Sequence, residues 1–274
     1  MLIYEPSGKA REYSPLALNI YSGCDHRCTY CYVPMIRRGV DPATVTRRKN
    51  FLETLDKELT KNTPLDQVLL SFMCDPYCHA DVELQETRKS LTVLAKHRAT
   101  VAVLTKGGSR CLRDLDLFRS MGKCIKIGAT LTFQNERQSL EVEPGAASPS
   151  DRLSALEMVH KAGIKTFVSI EPVVDPAQSL GLIRNSLGFV DQYKVGKMNH
   201  FEKRFSSGVD WTVFLYSAVD MLRSHGKKFY IKEDLRAFDR DHILTKEESD
   251  YSTLFLKSEK RDTPSSDSVA LSLF

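Results

Sequence analysis

The chain lacks the features that would place it in a membrane or outside the cell. No uninterrupted apolar run approaches the roughly 20 residues that a membrane-spanning helix needs. The segment from Met1 to Tyr13 carries charged side chains and has no apolar stretch of the kind found in a secretory signal. We therefore expect a soluble, cytoplasmic protein with no membrane partner.

The sequence also has little excess charge of either sign. The 39 Lys and Arg face 35 Asp and Glu, so the formal net charge is +4, which is too small by itself to identify a nucleic-acid-binding protein. Hydrophobic residues make up 42% and charged residues 27%, proportions that exclude a disordered or fibrous chain. The length is sufficient to bury a sizeable core in one large domain or two small ones.

Short apolar runs alternate with helical patterns along most of the chain. The seven predicted strands are 16–21, 68–72, 100–105, 126–132, 166–170, 192–195 and 229–231. The helical patterns between or after them are about 46–61, 83–97, 111–121, 149–162, 176–187, 211–225 and 233–240. This alternation predicts parallel strands joined by right-handed crossovers. We expect an α/β fold, a partial (β/α)6 barrel of the TIM type over residues 1–245, with a doubly wound open sheet as the alternative.

Residues 246–274 differ in character from the rest of the chain. They include the runs Lys-Glu-Glu-Ser-Asp and Ser-Glu-Lys-Arg-Asp-Thr-Pro-Ser-Ser-Asp. Such polar composition predicts a mobile tail or an extension lying on the surface, and not a second domain.

Three of the seven cysteines, Cys24, Cys28 and Cys31, fall within eight residues after the first predicted strand. An odd number of cysteines in a long chain argues against a disulfide framework. Three thiolates at this spacing can converge on one metal centre. Structural zinc needs a fourth ligand, for which His26 is available. A [4Fe–4S] cluster usually takes four thiolates, so three would leave one iron open to a ligand that is not protein.

The motif C-x3-C-x-aromatic-C, with Tyr30 as its aromatic residue, resembles the radical S-adenosylmethionine (SAM) superfamily. Further features over about residues 16–175 resemble its spore photoproduct lyase-like branch. They are Tyr30 and Tyr32 on both sides of Cys31, the segment Ser71–Tyr77 with Glu83, the segment Leu104–Lys106 followed by Arg113 and Asp114, and Glu143-Pro144 followed by Arg152 and the segment Gly163–Pro172.

The resemblance implies two cofactors and the residues that hold them. Cys24, Cys28 and Cys31 would hold a [4Fe–4S] cluster whose open iron binds SAM. The side chains implied near SAM are Tyr30, Cys74, Asp75, Lys106 and Thr130. Their types suit the ligand, because a lysine pairs with a carboxylate and an aspartate accepts from an ammonium group. The carboxyl ends of barrel strands also meet on one face.

The resemblance further implies a reaction class. An electron from an external flavodoxin-like or ferredoxin-like donor would cleave SAM, and the resulting 5′-deoxyadenosyl radical would remove hydrogen from the substrate. The chain departs from the branch at the hydrogen-donor cysteine, whose position matches Phe72 here. Cys78 is the candidate hydrogen donor in this chain, with simple packing as the alternative. The thymine-dimer substrate of the lyase is therefore not carried over.

Two groups of basic residues with nearby aromatic side chains are expected at the mouth of the barrel. They are Arg37, Arg38, Arg47, Arg48 and Lys49, and then Lys194, Lys197, His200, Lys203 and Arg204, with Tyr32, Phe201 and Phe205. The combination is compatible with a nucleic-acid or nucleotide substrate, although ordinary solvated loops have the same composition. A radical SAM enzyme acting on a peptide or small metabolite is the second hypothesis. A zinc-stabilised nucleic-acid-binding protein without catalysis is the third.

Overall fold

A computed structural model describes residues 1–36, 41, 43–62, 65–198, 201–205 and 207–257. Ten strands form within these residues. They are β1 (Ile3–Tyr4), β2 (Leu16–Leu18), β3 (Tyr21–Ser22), β4 (Thr46–Arg47), β5 (Val68–Leu70), β6 (Val101–Thr105), β7 (Ile125–Thr130), β8 (Lys165–Ile170), β9 (Gln192–Val195) and β10 (Lys228–Ile231).

Eight of these strands form one sheet in the order β1-β2-β5-β6-β7-β8-β9-β10. Every neighbouring pair from β2 to β10 is parallel, and β1 pairs antiparallel with β2. A separate two-stranded sheet joins β3 to β4. The α/β partial barrel is therefore confirmed. Its seven parallel strands coincide with the seven predicted ones, so there is one strand more than six β/α units require.

Eleven α-helices accompany the strands in the described residues. They are α1 (Val33–Ile36), α2 (Phe51–Asn62), α3 (Ala80–Leu84), α4 (Glu86–Lys96), α5 (Leu115–Met121), α6 (Glu136–Val142), α7 (Pro149–Lys161), α8 (Pro176–Ser186), α9 (Glu202–Phe205), α10 (Trp211–Ser224) and α11 (Glu233–Arg236). Helix α7 shows why the predicted boundaries hold. The Ser148 hydroxyl accepts from the Asp151 backbone N–H at 3.2 Å, and Pro149 occupies the first turn. None of the helices in the described part is long and apolar enough to cross a membrane.

The apolar residues form two large clusters and a small third one. The first packs β2, β5 and β6 against α2 and α4, and the second packs β8, β9 and β10 against α8 and α10. The third consists of Leu69, Ala102 and Phe167. Tyr13 and Phe72 pack against this third cluster and also line the cavity described below. The third cluster therefore lies on the inner face of the sheet.

The segment after α11 packs against the barrel as far as residue 257. The Ile231 backbone N–H donates to the Glu248 carbonyl at 2.9 Å, and the Leu256 N–H donates to Gln67 Oε1 at 3.0 Å. The Lys126 ammonium donates to the Leu254 carbonyl from inside the barrel. The described part of the predicted extension is therefore docked, and residues 258–274 lie outside the described residues.

Candidate functional site

A cavity of about 520 Å³ lies at the carboxyl ends of the parallel strands. Its walls come from the loop 23–32, here called the cysteine loop, from residues at or just after β5, β6, β7, β8 and β10, and from the N-terminal segment. The carboxyl-terminal face is where β/α barrels assemble residues from several loops around one ligand. This cavity is therefore the candidate site.

Eight of the nine predicted site residues line this cavity. They are Cys24, Cys28, Tyr30, Cys31, Cys74, Asp75, Lys106 and Thr130. The ninth, Cys78, does not line it. Its side chain is fully buried in the first apolar cluster, and burial raises the pKa of its thiol. Outside the cysteine loop, the cavity wall described here contains the thiol of Cys74 but not that of Cys78.

The cysteine loop is fixed by backbone and side-chain contacts to two neighbouring segments. The Asp25 carboxylate accepts from the backbone N–H groups of His79 at 3.0 Å and Ala80 at 2.8 Å. The Gly145 N–H donates to the His26 carbonyl at 2.9 Å. A Cβ at residue 145 would lie 2.5 Å from the Asp25 carbonyl oxygen, so only glycine permits this approach. The loop is therefore positioned by the protein itself.

Asp75 connects the loop after β5 to the end of β6. Its Oδ1 accepts from the Tyr77 N–H at 2.8 Å and from the Thr105 hydroxyl at 2.6 Å. Its Oδ2 accepts from the Lys106 N–H at 2.7 Å and lies 3.5 Å from His26 Nδ1. Burial favours a higher pKa, but the polar Nδ1 side of the His26 ring and the hydrogen bonds from Lys106, Thr105 and Tyr77 hold the pKa of Asp75 below its usual value. The carboxylate is ionised and already well supplied with protein donors.

His26 is held on both sides of its ring. Nε2 lies 2.9 Å from the Arg110 guanidinium, and Nδ1 faces Asp75. Burial lowers the pKa of His26 to about 4, so the ring is neutral at pH 7. Within the ranges that the structure describes, no three His, Cys, Asp or Glu side chains converge as a single metal ion would require.

Lys106 faces the cavity beside a buried carboxylate. Its Nζ is 4.0 Å from Glu143 Oε1 and 5.4 Å from the centre of the Tyr30 ring. Glu143 has closer partners, because Arg152 donates to it at 2.5 Å and Thr132 at 3.0 Å, and Tyr30 also donates to it. The Lys106 side chain remains 18% exposed. Its ammonium group is thus only loosely paired.

Four polar side chains that were not assigned to the site from the sequence also line the cavity. Tyr13 donates to Glu171 Oε2 at 2.7 Å, and its oxygen lies 2.7 Å from the Ser169 hydroxyl. Lys232 donates to the same Glu171 oxygen at 2.5 Å. Ser169 and Glu171 are two residues apart at the carboxyl end of β8, a spacing that places both on one face. The alternation of side chains along β8 is the sequence signal from which Ser169 and Glu171 could have been predicted to lie on the same face.

The basic groups predicted at the mouth are only partly described. Arg37, Arg38, His200 and the side chain of Lys203 lie outside the described residues. The prediction for Lys194 was wrong, because this side chain is 1% exposed and donates to the Glu12 carbonyl inside the barrel. It lies on the inner face of β9, 4.9 Å from the centre of the Tyr13 ring.

Comparison with known proteins gives one family and one shared fold. A family model of the radical SAM superfamily matches residues 18–189. An uncharacterized protein of Methanocaldococcus jannaschii is 27% identical over 161 residues, covering 57% of this chain. The chain spans 60% of that relative's length.

Two solved structures illustrate the fold. Spore photoproduct lyase complexed with dinucleoside spore photoproduct has a TM-score of 0.63 at 13% identity, covering 83% of this chain and 79% of the lyase. SuiB of Streptococcus suis bound to S-adenosylmethionine has a TM-score of 0.61 at 10% identity, covering 84% of this chain and 53% of SuiB. SuiB has also been solved bound to its precursor peptide SuiA. At such identities the likeness concerns the fold.

Proposed function

Because the chain belongs to the radical SAM superfamily, we propose that it is a radical SAM enzyme that holds a [4Fe–4S] cluster through Cys24, Cys28 and Cys31. SAM would bind beside the cluster in the same cavity. The observation that carries this proposal is the shared cavity wall, where the three thiols stand with the loosely paired ammonium group of Lys106.

The donor set fits an iron–sulfur cluster better than a single zinc ion. The three thiols share a wall of the cavity, and thiolates are the usual protein ligands of such clusters. His26, the candidate fourth ligand for zinc, is instead engaged by Arg110 and Asp75. The cavity also extends well beyond the cysteine loop, which leaves room for an organic cofactor and a substrate.

The chemistry that these cofactors supply when bound is reductive cleavage of SAM to a 5′-deoxyadenosyl radical that takes hydrogen from a substrate. Lys106 would bind the carboxylate of SAM, since its own partner Glu143 is held by Arg152. Asp75 would orient the site by fixing the Lys106 backbone, and any contact with the ammonium group of SAM would share its oxygens with protein donors. Tyr30 and Thr130 would line the cofactor pocket and help to exclude water.

The two other cysteines of the segment take different places in the proposal. Cys74 lines the cavity and would be a neighbour of SAM. Cys78 is buried in the apolar core, so we propose that it packs there and is not the hydrogen donor.

The substrate that we propose is a nucleic acid or a nucleotide. The support comes from the fold neighbour complexed with a dinucleoside and from the basic side chains Arg48 and Lys49 in the segment after the cysteine loop. A peptide substrate is the second candidate, because SuiB, with the same fold, binds a precursor peptide. The electron would come from a flavodoxin-like or ferredoxin-like protein in the cytoplasm.

Anaerobic purification followed by metal and sulfide analysis tests the proposal. We expect about four iron atoms and four sulfide ions per chain, as a [4Fe–4S] cluster requires, and formation of 5′-deoxyadenosine when SAM and a reductant are added. One zinc per chain without acid-labile sulfide would instead support the non-catalytic zinc protein. Deuterium transferred from labelled DNA or RNA into 5′-deoxyadenosine would identify the substrate class, and transfer only from labelled peptides would reject it.

A further inference from the structure

Tyr13, Ser169, Glu171 and Lys232 form the part of the cavity wall at β8, β10 and the N-terminal segment, here called the far end. Tyr13 precedes and Lys232 follows the residues that the superfamily model matches, so the family assignment does not account for them. Resting on the proposed function, we infer that the far end binds the uncharged base of a nucleotide substrate and excludes its phosphate. The phosphate would then face the mouth of the cavity.

The charges of the far end argue against an anion. The Lys232 side chain is 3% exposed, and its ammonium lies 2.5 Å from Glu171 Oε2 and 3.2 Å from Glu12 Oε2. Glu12 is itself buried, at 5% exposure. Two carboxylates thus face this ammonium group. Lys194 is the other lysine near both carboxylates, but it donates to the Glu12 carbonyl and does not line the cavity, and burial lowers its pKa. A phosphate entering here would face these carboxylates where water screens poorly, and like charges so close are unfavourable.

The remaining polar groups of the far end suit a neutral ligand. The Tyr13 and Ser169 hydroxyls both line the cavity and lie 2.7 Å apart. Each hydroxyl can donate or accept a hydrogen bond. Burial raises the pKa of Tyr13, so the phenol stays protonated and uncharged. Since Tyr13 gives its one proton to Glu171, its oxygen can only accept from an N–H group of a base, whereas the Ser169 hydroxyl can also donate to a base carbonyl. These bonds offset the cost of removing the polar groups of a base from water.

The apolar surroundings favour a flat ring over a flexible chain. The Phe72 ring meets the Tyr13 ring edge to face, with 6.0 Å between the ring centres. The Tyr32 hydroxyl donates to the Phe72 carbonyl at 2.8 Å, which fixes a third aromatic side chain in the same wall. Aromatic side chains bind bases by stacking without regard to sequence. Phe72 thus connects Tyr13 of the far end with Tyr32 of the cysteine loop.

Gly196 makes room for the charged pair of the far end. A Cβ at this position would lie 2.9 Å from Lys232 Cδ and 3.1 Å from Glu171 Cδ. A side chain at residue 196 would therefore displace the pair without changing its charge. This gives a variant that is independent of the ionisable residues.

Equilibrium dialysis of the anaerobic holoprotein tests the inference. The protein is saturated with SAM, without reductant, so that nucleosides cannot occupy the cofactor site. The probes are the four ribonucleosides, inorganic phosphate and N-acetylalaninamide. We expect at least one ribonucleoside to bind and phosphate neither to bind at the far end nor to compete.

Charge variants sharpen this result. Glu171→Gln should weaken binding of that ribonucleoside about tenfold, as expected when a buried hydrogen-bonding partner is altered. Glu12 still faces Lys232 in this variant. The double variant Glu12→Gln with Glu171→Gln leaves Lys232 uncompensated and should create binding of inorganic phosphate. Adding Lys232→Met to that double variant should abolish the phosphate binding again. If Glu171→Gln does not fold, Gly196→Ala replaces it. This variant should weaken binding of the ribonucleoside about tenfold without creating phosphate binding.

Three outcomes would overturn the inference: competition between phosphate and the ribonucleoside in the unaltered protein, ribonucleoside binding that Glu171→Gln and Gly196→Ala leave unchanged, or binding of N-acetylalaninamide and no ribonucleoside. Iron and sulfide contents and 5′-deoxyadenosine formation are measured on the same samples. If these are normal while the ribonucleosides fail to bind, only the inference fails. If they are absent, the proposed function fails as well.

Discussion

Two parts of one cavity wall each present a lysine that has a glutamate beside it, but the two pairs differ in geometry. At the cysteine loop, Lys106 lies 4.0 Å from Glu143, whose closer partner is Arg152 at 2.5 Å. At the far end, Lys232 lies 2.5 Å from Glu171. The first lysine keeps an ammonium group that is available to an anion, and the second is neutralised. The same pair of residue types therefore suits the binding of a carboxylate beside Lys106 and the binding of an uncharged group beside Lys232.

Removing a cysteine ligand should have the largest effect and should change only the part of the cavity at the cysteine loop. Cys28→Ala should abolish bound iron and sulfide and stop the formation of 5′-deoxyadenosine, because a cluster held by three thiolates loses one of them. Cys124→Ala is the control, since Cys124 is a free cysteine outside the cavity wall. Metal analysis and SAM cleavage of both variants check the prediction, and cleavage that survives in Cys28→Ala would reject these ligands.

Removing Arg152 should have the next largest effect. Both Arg152 and Glu143 are 1% exposed, so Arg152→Met would leave a buried carboxylate with only Lys106 as a charged partner. We expect a loss of about 3–5 kcal/mol in the free energy of unfolding, as for other broken buried ion pairs. Urea unfolding of the anaerobic protein measures it.

Arg137→Met is the matched control for that experiment, because the Arg137 side chain is 89% exposed and its ion pair among the described residues is with Glu141 of the same helix. Its unfolding should match that of the unaltered protein. Equal stability of Arg152→Met and Arg137→Met would show that Glu143 is neutralised in another way, and Lys106 would then be less available than its distance indicates.

A smaller effect is expected from the far end. Gly196→Ala should cost about 1–3 kcal/mol, the usual range for an overpacked site, while the iron and sulfide contents stay normal. Gly188→Ala is the control, because a Cβ there meets nothing within 4 Å. Thermal unfolding measures the loss of stability at the far end, and metal analysis shows whether the cluster on the cysteine loop is affected. Loss of the cluster in Gly196→Ala would contradict their separation.

The smallest effect concerns the inner face of the barrel below the cavity. Burial lowers the pKa of Lys126 to about 7, below the value near 10.4 of an unfolded chain. Between these values the unfolded chain binds more protons, so the stability contributed by this group rises with pH. We expect the unaltered protein to gain about 1.4 kcal/mol relative to Lys126→Met between pH 8 and 9.

Unfolding free energies of both proteins at pH 6, 8 and 9 check this prediction. Below about pH 7 the difference between them should level off, because Lys126 is then protonated in both states. Lys165 and Lys194 are the charged neighbours that act with Lys126. A difference that does not change between pH 8 and 9 would mean that Lys126 is not buried as described.

The fold and the site residues near the cysteines could be predicted from the sequence for the same reason. The strands of a parallel sheet are short buried apolar runs, so each of the seven carried its own local signal. The site residues near the cysteines follow those strands directly. Lys106, for example, comes one residue after β6 ends at Thr105, and the carboxyl ends of barrel strands meet on one face.

The residues of the far end could not be predicted together in this way, because they come from segments that are distant in the chain. Tyr13 and Glu171 are 158 residues apart and meet only when the N-terminal segment packs against β8. The prediction for Lys194 was wrong because it placed a buried side chain at the surface. This lysine is charged and was placed at the mouth, but it points inward from β9 and is covered by aromatic rings. Which face of a strand a lysine occupies depends on register, which composition does not reveal.

An anaerobic crystal structure of the holoprotein with SAM tests the central claim most directly. We expect an iron–sulfur cluster on Cys24, Cys28 and Cys31 and the SAM carboxylate within hydrogen-bonding distance of Lys106, with the far end free of anions. A single zinc ion on the cysteines, or the SAM carboxylate paired with Lys232, would contradict it.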